Sequence, residues 1–522
     1  MGKDLYDEFH YPNYCYSQTH PDRLSSIATL FGLQPTPVES CRVLELACGD
    51  GANLLPMAVH LPESNFVGID RAVEPIASGQ ATIAELNLKN LELKQKDILE
   101  TSDELGKFDY IIAHGLFSWV PAEVQERILS LCRESLNPNG VAYISYNTYP
   151  GCHLRAITWG MTRFHTREIQ DPLEKVAQSR ALINWAATAQ TQQNAYSTFL
   201  NEVNAALAKK DGGAIFHDDL SEQNSPLYFF QFVTRAARHG LRFLSESEYF
   251  HTQEINFATE VADQLKAMER EDIILKEQYL DFLGGRSFRQ TLLCHHEAKV
   301  DRSLKPDMVR QFYVRANAIP VSDHPDLQSQ AIEEFRGPKG SGISTSFPLG
   351  KAAFSHLSSV YPASLSFAEL IDSANALLLA SDSQRKYAGE DSEEGQALAE
   401  LILKAFGVGV AELHLHQTKL ATKPGDWPMI SSLARHQAQK GQMISTLLHG
   451  SVKFEDELGR QLLTLLDGTR DRTRLETDFR QLAEQVIEEE NKSGNPISIP
   501  DDLSEQLTNR LNSLGKLGLF IQ

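Results

Sequence analysis

No run of eighteen consecutive apolar residues occurs among the 522 positions, and the first nine, MGKDLYDEF, are polar and acidic. Neither a membrane-spanning helix nor a secretory signal peptide is expected from such a pattern. Cysteine is sparse, six residues at positions 15, 41, 48, 132, 152 and 294, and no two form a CxxC pair. That scarcity argues against a disulfide scaffold and predicts reduced thiols in a cytoplasm. Basic residues are also in deficit: 49 Lys and Arg against 69 Asp and Glu leave a net charge of −20. A general nucleic-acid binder needs a basic face for phosphate, so none is expected. An acidic surface favours a basic partner such as a lysine-bearing protein, although most such charge only keeps proteins soluble. No spaced set of metal ligands stands out. His217-Asp218-Asp219 and Cys294-His295-His296 are contiguous, and a strand would turn adjacent histidines to opposite faces. The length predicts roughly two to four domains, and the hydrophobic fraction of 42% is ordinary for a globular protein.

What is present is concentrated in residues 41–55, CRVLELACGDGANLL. Residues 43–46 are mostly apolar, bounded by polar positions and too short for a helix, which predicts a buried strand. Gly49 and Gly51 then allow a tight turn where backbone approaches a ligand without Cβ clashes. Helical spacing follows over 52–60. A strand, a glycine turn and a helix N-terminus together suit a polar nucleoside ligand. A dinucleotide fingerprint would need a glycine three residues beyond Gly51, where Leu54 stands. A second strand, 66–70 (FVGID), ends in Asp70, nineteen positions past Gly51, and an acid there can accept both hydroxyls of a ribose. Further strands are expected over 91–94, 108–115 and 140–146, each separated by a helical pattern as parallel βαβ units require. A long helical region, 171–210, then stands where a sixth strand is due. That strand is placed at 241–244, and a seventh, antiparallel one at 288–294 after an amphipathic stretch over 256–282.

The spacing Glu45-x-Ala47-x-Gly49-x-Gly51 resembles motif I of class I methyltransferases, which bind S-adenosylmethionine (AdoMet); Ala47 stands where that pattern has its first glycine. The wider layout resembles bacterial methyltransferases carrying the methyltransferase regulatory domain. The residues that carry the likeness are 16–21, ELACGDG, YNTYPG at 146–151, HDDL at 217–220, 288–294 and LLDGTR at 465–470. Their best-understood relatives are similar to the rickettsial lysine methyltransferases that modify outer-membrane protein. The resemblance implies an α/β fold: a Rossmann-like, seven-stranded class I methyltransferase domain over 1–300 with a helical insertion at about 155–240. It also implies C-terminal α+β winged-helix-like domains over 301–417 and 418–522, often in dimers. In this frame AdoMet is the cofactor. Glu45, Ala47, Gly49 and Gly51 would hold its methionine part, Asp70 the ribose, Asp97 and Ile98 the adenine, and His114 would approach the methionine end.

Residues just past strand C-termini face the ligand crevice of a doubly wound sheet. His114, Phe117, Trp119, Asn147 and Tyr149 are therefore candidates for the methyl or the substrate channel, although Phe117 and Trp119 equally suit packing at a helix start. The aromatic N-terminal stretch 7–20 is either an anchor to the core or a lid over AdoMet, with Tyr16 and His20 as the lid residues. Tyr149 and His217 are the candidate general bases, and His217 also suits a capping or surface role. Residues 343–416 and 451–521 resemble each other, strand, three helices, strand, and read as degenerate winged helices with acidic inserts at 390–394 and 488–490. Arg470, Arg472 and Arg474 could serve a DNA-reading wing, but interleaved and following acids favour protein contact or dimer packing. Three functions stay open: a protein-lysine N-methyltransferase, a small-molecule methyltransferase whose C-terminal domains cap the substrate or dimerise, and an AdoMet-binding regulator that transfers nothing.

Overall fold

The structure, a computed structural model, describes residues 14–101, 103–492 and 502–522. Positions 7–13 of the aromatic N-terminal stretch and the expected helix start at Asp501 lie outside the described residues. Short apolar runs such as VLEL, FVGI and YIIA are buried on both faces, as strands of a covered parallel sheet must be. They form a seven-stranded sheet of β1 (Arg42–Leu46), β2 (Asn65–Asp70), β3 (Leu91–Gln95), β4 (Phe108–Ala113), β5 (Leu136–Asn147), β6 (Leu241–Glu246) and β7 (Phe288–His295). The order is β3-β2-β1-β4-β5-β7-β6; β1 to β5 run parallel, and β7 is antiparallel to both β5 and β6. One face packs on α1 (Pro21–Leu30), α2 (Leu54–His60) and α3 (Val73–Glu85) through Leu24, Ile27, Leu54, Met57 and Ile76. The other is covered by α4 (Ala122–Ser135) and a later helix, through Ile128, Leu129 and Phe232.

The insertion between β5 and β6 carries α5 (Gly151–Thr166), α6 (Pro172–Thr188), α7 (Ala195–Lys209) and α8 (Gly212–Asp219), before α9 (Phe229–Arg238) returns to the sheet. The region expected as one long helical stretch over 171–210 is two helices. Asn194 caps the second: its side chain accepts the Ser197 N–H at 2.9 Å, and the Ser197 hydroxyl accepts the Asn194 N–H at 2.8 Å. The stretch 256–282 is likewise split into α10 (Thr259–Glu271) and α11 (Ile273–Gly284), because Asp272 caps the second. A buried ion cluster ties α11 to the sheet. Arg289 of β7 donates to Asp281 at 2.9 Å, Glu246 of β6 at 2.7 Å and Glu277 at 3.1 Å, with its guanidinium over the Phe229 ring.

The middle domain contains β8 (Tyr313–Ala316), β9 (Ile319–Pro320), β10 (Glu333–Arg336) and β11 (Gly342–Thr345), then α12 (Pro348–Val360), β12 (Leu365–Ser366), α13 (Phe367–Ser381), α14 (Glu393–Gly407) and β13 (Ala411–His414). The C-terminal domain follows: β14 (Leu420–Ala421), α15 (Ser432–Lys440), the hairpin β15 (Met443–Ser445) and β16 (Ser451–Lys453), α16 (Glu457–Leu465), α17 (Arg472–Lys492), α18 (Leu503–Lys516) and β17 (Phe520–Ile521). Two details correct the sequence reading. Of the acidic group at 390–394, Glu390 and Asp391 lie in the loop before α14, as expected, whereas Glu393 and Glu394 open that helix, where Ser392 caps it and the dipole favours acids; Glu488–Glu490 fall within α17 and are not a separate insert. Arg470, the candidate wing cation, is engaged internally, donating to Asp478 at 2.7 Å and Asp467 at 2.9 Å.

α1 joins the first two domains. Asp22 Oδ2 lies 2.6 Å from His414 Nδ1, and Oδ1 accepts the Leu415 and His416 N–H groups, both at 2.8 Å. Burial works to raise the Asp22 carboxyl, but His414 and these bonds outweigh it and hold it at about 2. No helix among the described residues is long and apolar enough to cross a membrane.

Candidate active site

In a doubly wound sheet the ligand crevice lies outside the C-terminal ends of the strands, here those of β1, β2, β4 and β5. After β1 the chain reverses through three residues with positive φ: Ala47 (58°), Gly49 (56°) and Gly51 (78°). Glycine suits such a conformation, but an Ala there is strained. The turn is held by Asp70 at the tip of β2, whose Oδ2 accepts the Gly49 N–H at 2.9 Å while Oδ1 accepts the Ala72 N–H at 2.8 Å. Close packing beneath it requires a further glycine: a Cβ at Gly79 would stand 2.2 Å from the Asp50 carbonyl oxygen. Asp97 caps the short turn Ile98–Glu100 by accepting the Leu99 N–H at 2.8 Å, which leaves Ile98 half-buried beside the crevice.

Glu45, on β1, is 5% exposed. Its Oε1 accepts from the Asn53 amide at 2.8 Å, whereas Oε2 is buried with no hydrogen-bond partner. Burial pushes the Glu45 carboxyl up to about 8; Asp70 and Asp50 add to the rise and Asn53 opposes it. A buried carboxylate oxygen left unmatched is costly, so this one marks a place for a donor or a cation. The amino end of AdoMet is such a group, the glycine turn admits its backbone-sized approach, and the acids after β2 and β3 suit its nucleoside. The residues present therefore fit the cofactor.

His114, at the end of β4, makes a 2.9 Å contact from Nδ1 to the Tyr143 hydroxyl, and burial lowers its pKa to about 4, so the ring is neutral at physiological pH. The Tyr16 ring lies over it, centroids 3.9 Å apart, and Phe288 meets it edge-on at 6.3 Å. Tyr16 is thus brought to the crevice by the N-terminal strap, residues 14–20. His20 Nδ1 caps α1 by accepting the Asp22 N–H at 3.2 Å, and its ring lies 5.0 Å from that of His449. Phe117, offered as a channel residue, is fully buried among Tyr146, Phe232 and the Arg235 guanidinium, because the turn after β4 directs its ring into the core. Trp119 stays half-buried nearby. Asn147 is also closed in: its side chain donates to Asn224 at 3.0 Å and its carbonyl accepts the Leu227 N–H. Tyr149 stacks on His153 at 4.1 Å and faces Tyr228 at 5.2 Å, and its hydroxyl is raised by burial and then by Cys152 and Tyr228. His217, buried on α8, meets the Phe216 ring edge-on at 5.1 Å; its neighbour Asp218 is close enough to help burial and Glu45 raise the Tyr16 hydroxyl. Among the described residues no group of His, Cys, Asp or Glu side chains could hold a metal ion.

Two residues missed in the sequence reading sit at the centre of this arrangement. Asn53, two positions past Gly51, bonds Glu45, the Tyr16 N–H at 3.0 Å and the Thr19 hydroxyl. Its position inside the motif was the available signal. His449 of the C-terminal domain reaches Asn53 Oδ1 from 396 residues away at 2.9 Å, and no local pattern marks it.

Three protein-family profiles match the chain: "Methyltransferase domain" over residues 37–204, "Predicted methyltransferase regulatory domain" over 211–295, and "PKMT, C-terminal winged helix domain" over 426–519. An uncharacterized protein of Rickettsia prowazekii is 36% identical over 379 residues, 72% of this chain and 68% of that protein. A second from the same organism is 37% identical over 244 residues, 47% of this chain and 98% of that one. Among solved structures, PKMT2 from Rickettsia typhi superimposes with a TM-score of 0.85 at 27% identity, covering 98% of this chain and 100% of its own, and is also known in complex with AdoHcy. Motif, sheet order and these likenesses agree: this chain belongs to the AdoMet-dependent methyltransferases that carry a methyltransferase regulatory domain and a PKMT-type C-terminal winged helix.

Proposed function

We propose that the protein methylates lysine amines of proteins, with the crevice between β1 and β4 holding AdoMet. The observation that carries this reading is the buried, unpartnered Glu45 Oε2 beside the glycine turn, within a chain matched end to end by a structure named PKMT2. AdoMet supplies a methyl group already activated on sulfonium, so the protein's work is alignment. In this reading Glu45 receives the amino end of the methionine part and the turn Ala47–Gly51 fits against it. Asp70 orients the ribose as well as bracing Gly49. Asp97 and Ile98 flank the adenine, and Tyr16 and neutral His114 form an aromatic wall near the methyl.

The acceptor amine must arrive without its proton, and a low-polarity aromatic approach favours the neutral form. Phe288, Tyr149 and Trp119 supply that approach. Tyr149 holds its own proton at neutral pH, so it lines the route rather than acting as base, which leaves His217 as the candidate base. The acidic surface, net −20, favours lysine-bearing partners.

Labelled-methyl AdoMet incubated with the protein and cell extract tests the reading. Label in protein that survives as methyl-lysine after acid hydrolysis is the expected result. Label confined to small molecules would make this a small-molecule enzyme, and no transfer at all would leave a non-catalytic AdoMet binder.

A further inference from the structure

We propose that the C-terminal domain is a working part of the cofactor site: its β15–β16 hairpin clamps the N-terminal strap onto motif I, and His449 is a positioning residue that acts on Glu45 through Asn53. This rests on the assignment of AdoMet to the β1–β4 crevice.

The strap is held from both sides. On one side Asn53 Oδ1 accepts the Tyr16 N–H at 3.0 Å, and the Cys15 thiol points to the Ala52 carbonyl at 3.7 Å. On the other, the Cys15 N–H donates to Ser451 Oγ at 2.9 Å and the Cys15 sulfur lies 3.1 Å from Ser445 Oγ. Ser445 is itself fixed by Gln437 of α15, whose amide nitrogen lies 2.9 Å from Oγ and whose oxygen accepts the Ser445 N–H at 2.8 Å. The strap that carries Tyr16 onto His114 is thus bonded both to motif I and to the hairpin.

The Asn53 amide has a single workable orientation. Its Oδ1 faces a backbone N–H, which can only donate, so Nδ2 must face Glu45 Oε1. His449 must then present a proton at Nε2, and its Nδ1 is left as an acceptor, buried and unpartnered. The residue is 4% exposed and its φ is 55°, a left-handed conformation uncommon outside glycine although histidine is among the side chains that tolerate it. Around it, α15 packs against α2, and Lys440 pairs with Glu85 at 2.7 Å. Because coupling is reciprocal, cofactor binding must tighten the hairpin as much as the hairpin tightens the cofactor.

The test uses the full chain. His449→Phe keeps the volume but not the donor, and His449→Gln returns an N–H near the Nε2 position. Expected is a rise of about five- to tenfold in AdoHcy Kd and AdoMet KM for His449→Phe with kcat little changed, the scale of one lost buried hydrogen bond. His449→Gln should restore most of it. Ser451→Ala, remote from Glu45, should weaken AdoHcy in the same direction, and AdoHcy should slow amide exchange across residues 443–453 in the wild type. Wild-type AdoHcy affinity in both His449→Phe and Ser451→Ala, or hairpin exchange indifferent to AdoHcy, overturns the proposal. Asp70→Ala separates the two levels. If it abolishes AdoHcy binding while the hairpin variants keep wild-type affinity, only the clamp fails; if it leaves binding intact, the crevice assignment itself fails.

Discussion

Glu45 makes cofactor binding depend on pH in a way that can be worked out. Its carboxyl titrates near 8 in the free protein, against an ordinary 4.5, because it is buried beside Asp70 and Asp50. At pH 7 about one molecule in ten is ionised there, and at pH 6 about one in a hundred. A cationic amine beside Oε2 favours the ionised form, so the bound state is deprotonated and binding releases a proton. The sign is fixed: the apparent AdoHcy affinity rises with pH by about tenfold per unit from 6 to 7, then levels off above 8, because only the ionised fraction is competent. The same raised value means that the contribution of Glu45 alone to the stability of the free fold is fully present below about 4.5 and is lost as pH climbs from there through 8. Isothermal titration with AdoHcy at pH 6, 7, 8 and 9, in buffers of different ionisation enthalpy, measures both quantities. About 0.9 proton released per site at pH 7 and almost none at pH 9 are expected. Glu45→Gln should flatten the profile. A wild-type Kd that stays constant from pH 6 to 9, with no proton released, would refute the contact between Glu45 and the ligand amine.

Three other perturbations follow from the packing. Arg289→Met leaves Glu246 buried without its paired cation, and Glu277 and Asp281 with Arg286 alone at 4.0 and 3.3 Å, and should cost about 3–5 kcal/mol in urea unfolding; a loss under about 1 kcal/mol would mean the cluster does not hold β6, β7 and α11 together. Ala47→Gly should stabilise by about 0.5–1 kcal/mol, the relief of left-handed strain less the entropy of a glycine; the same unfolding assay decides, and a destabilised variant contradicts the strain. Asp22, held at about 2, sits roughly two units below its unfolded value, worth about 2.5 kcal/mol. That contribution is complete above about pH 4 and fades as pH falls toward 2, so the stability gap between wild type and Asp22→Asn should be flat from pH 5 to 8 and shrink below 4. A gap that grows on acidification would be inconsistent with the His414 pairing.

The parts of the fold that were legible are those written in local pattern. VLEL, FVGI and YIIA read as buried strands because a two-faced parallel sheet leaves no polar alternation. Asp70 could be placed because it ends a strand at a fixed distance from the glycine turn. The antiparallel last strand was visible at 288–294 once a sixth had been located. Helix breaks were not: Asn194 and Asp272 sit in amphipathic runs that continue on either side, and only their capping bonds show where each helix restarts. Phe117 illustrates a second limit. Its place after β4 faces the crevice, but whether the ring turns outward or into the core depends on Phe232, more than a hundred residues away. His449 illustrates the third, since a site residue supplied by another domain leaves no spacing to read.

The central claim is that the AdoMet nucleoside lies along the C-terminal ends of β1, β2 and β3. Co-crystallisation of the full chain with AdoHcy tests it most directly. The account predicts density with the sugar hydroxyls at Asp70, the adenine between Asp97 and Ile98, and the amine at Glu45 Oε2. An empty crevice at saturating AdoHcy, or the ligand bound in another domain, would contradict it.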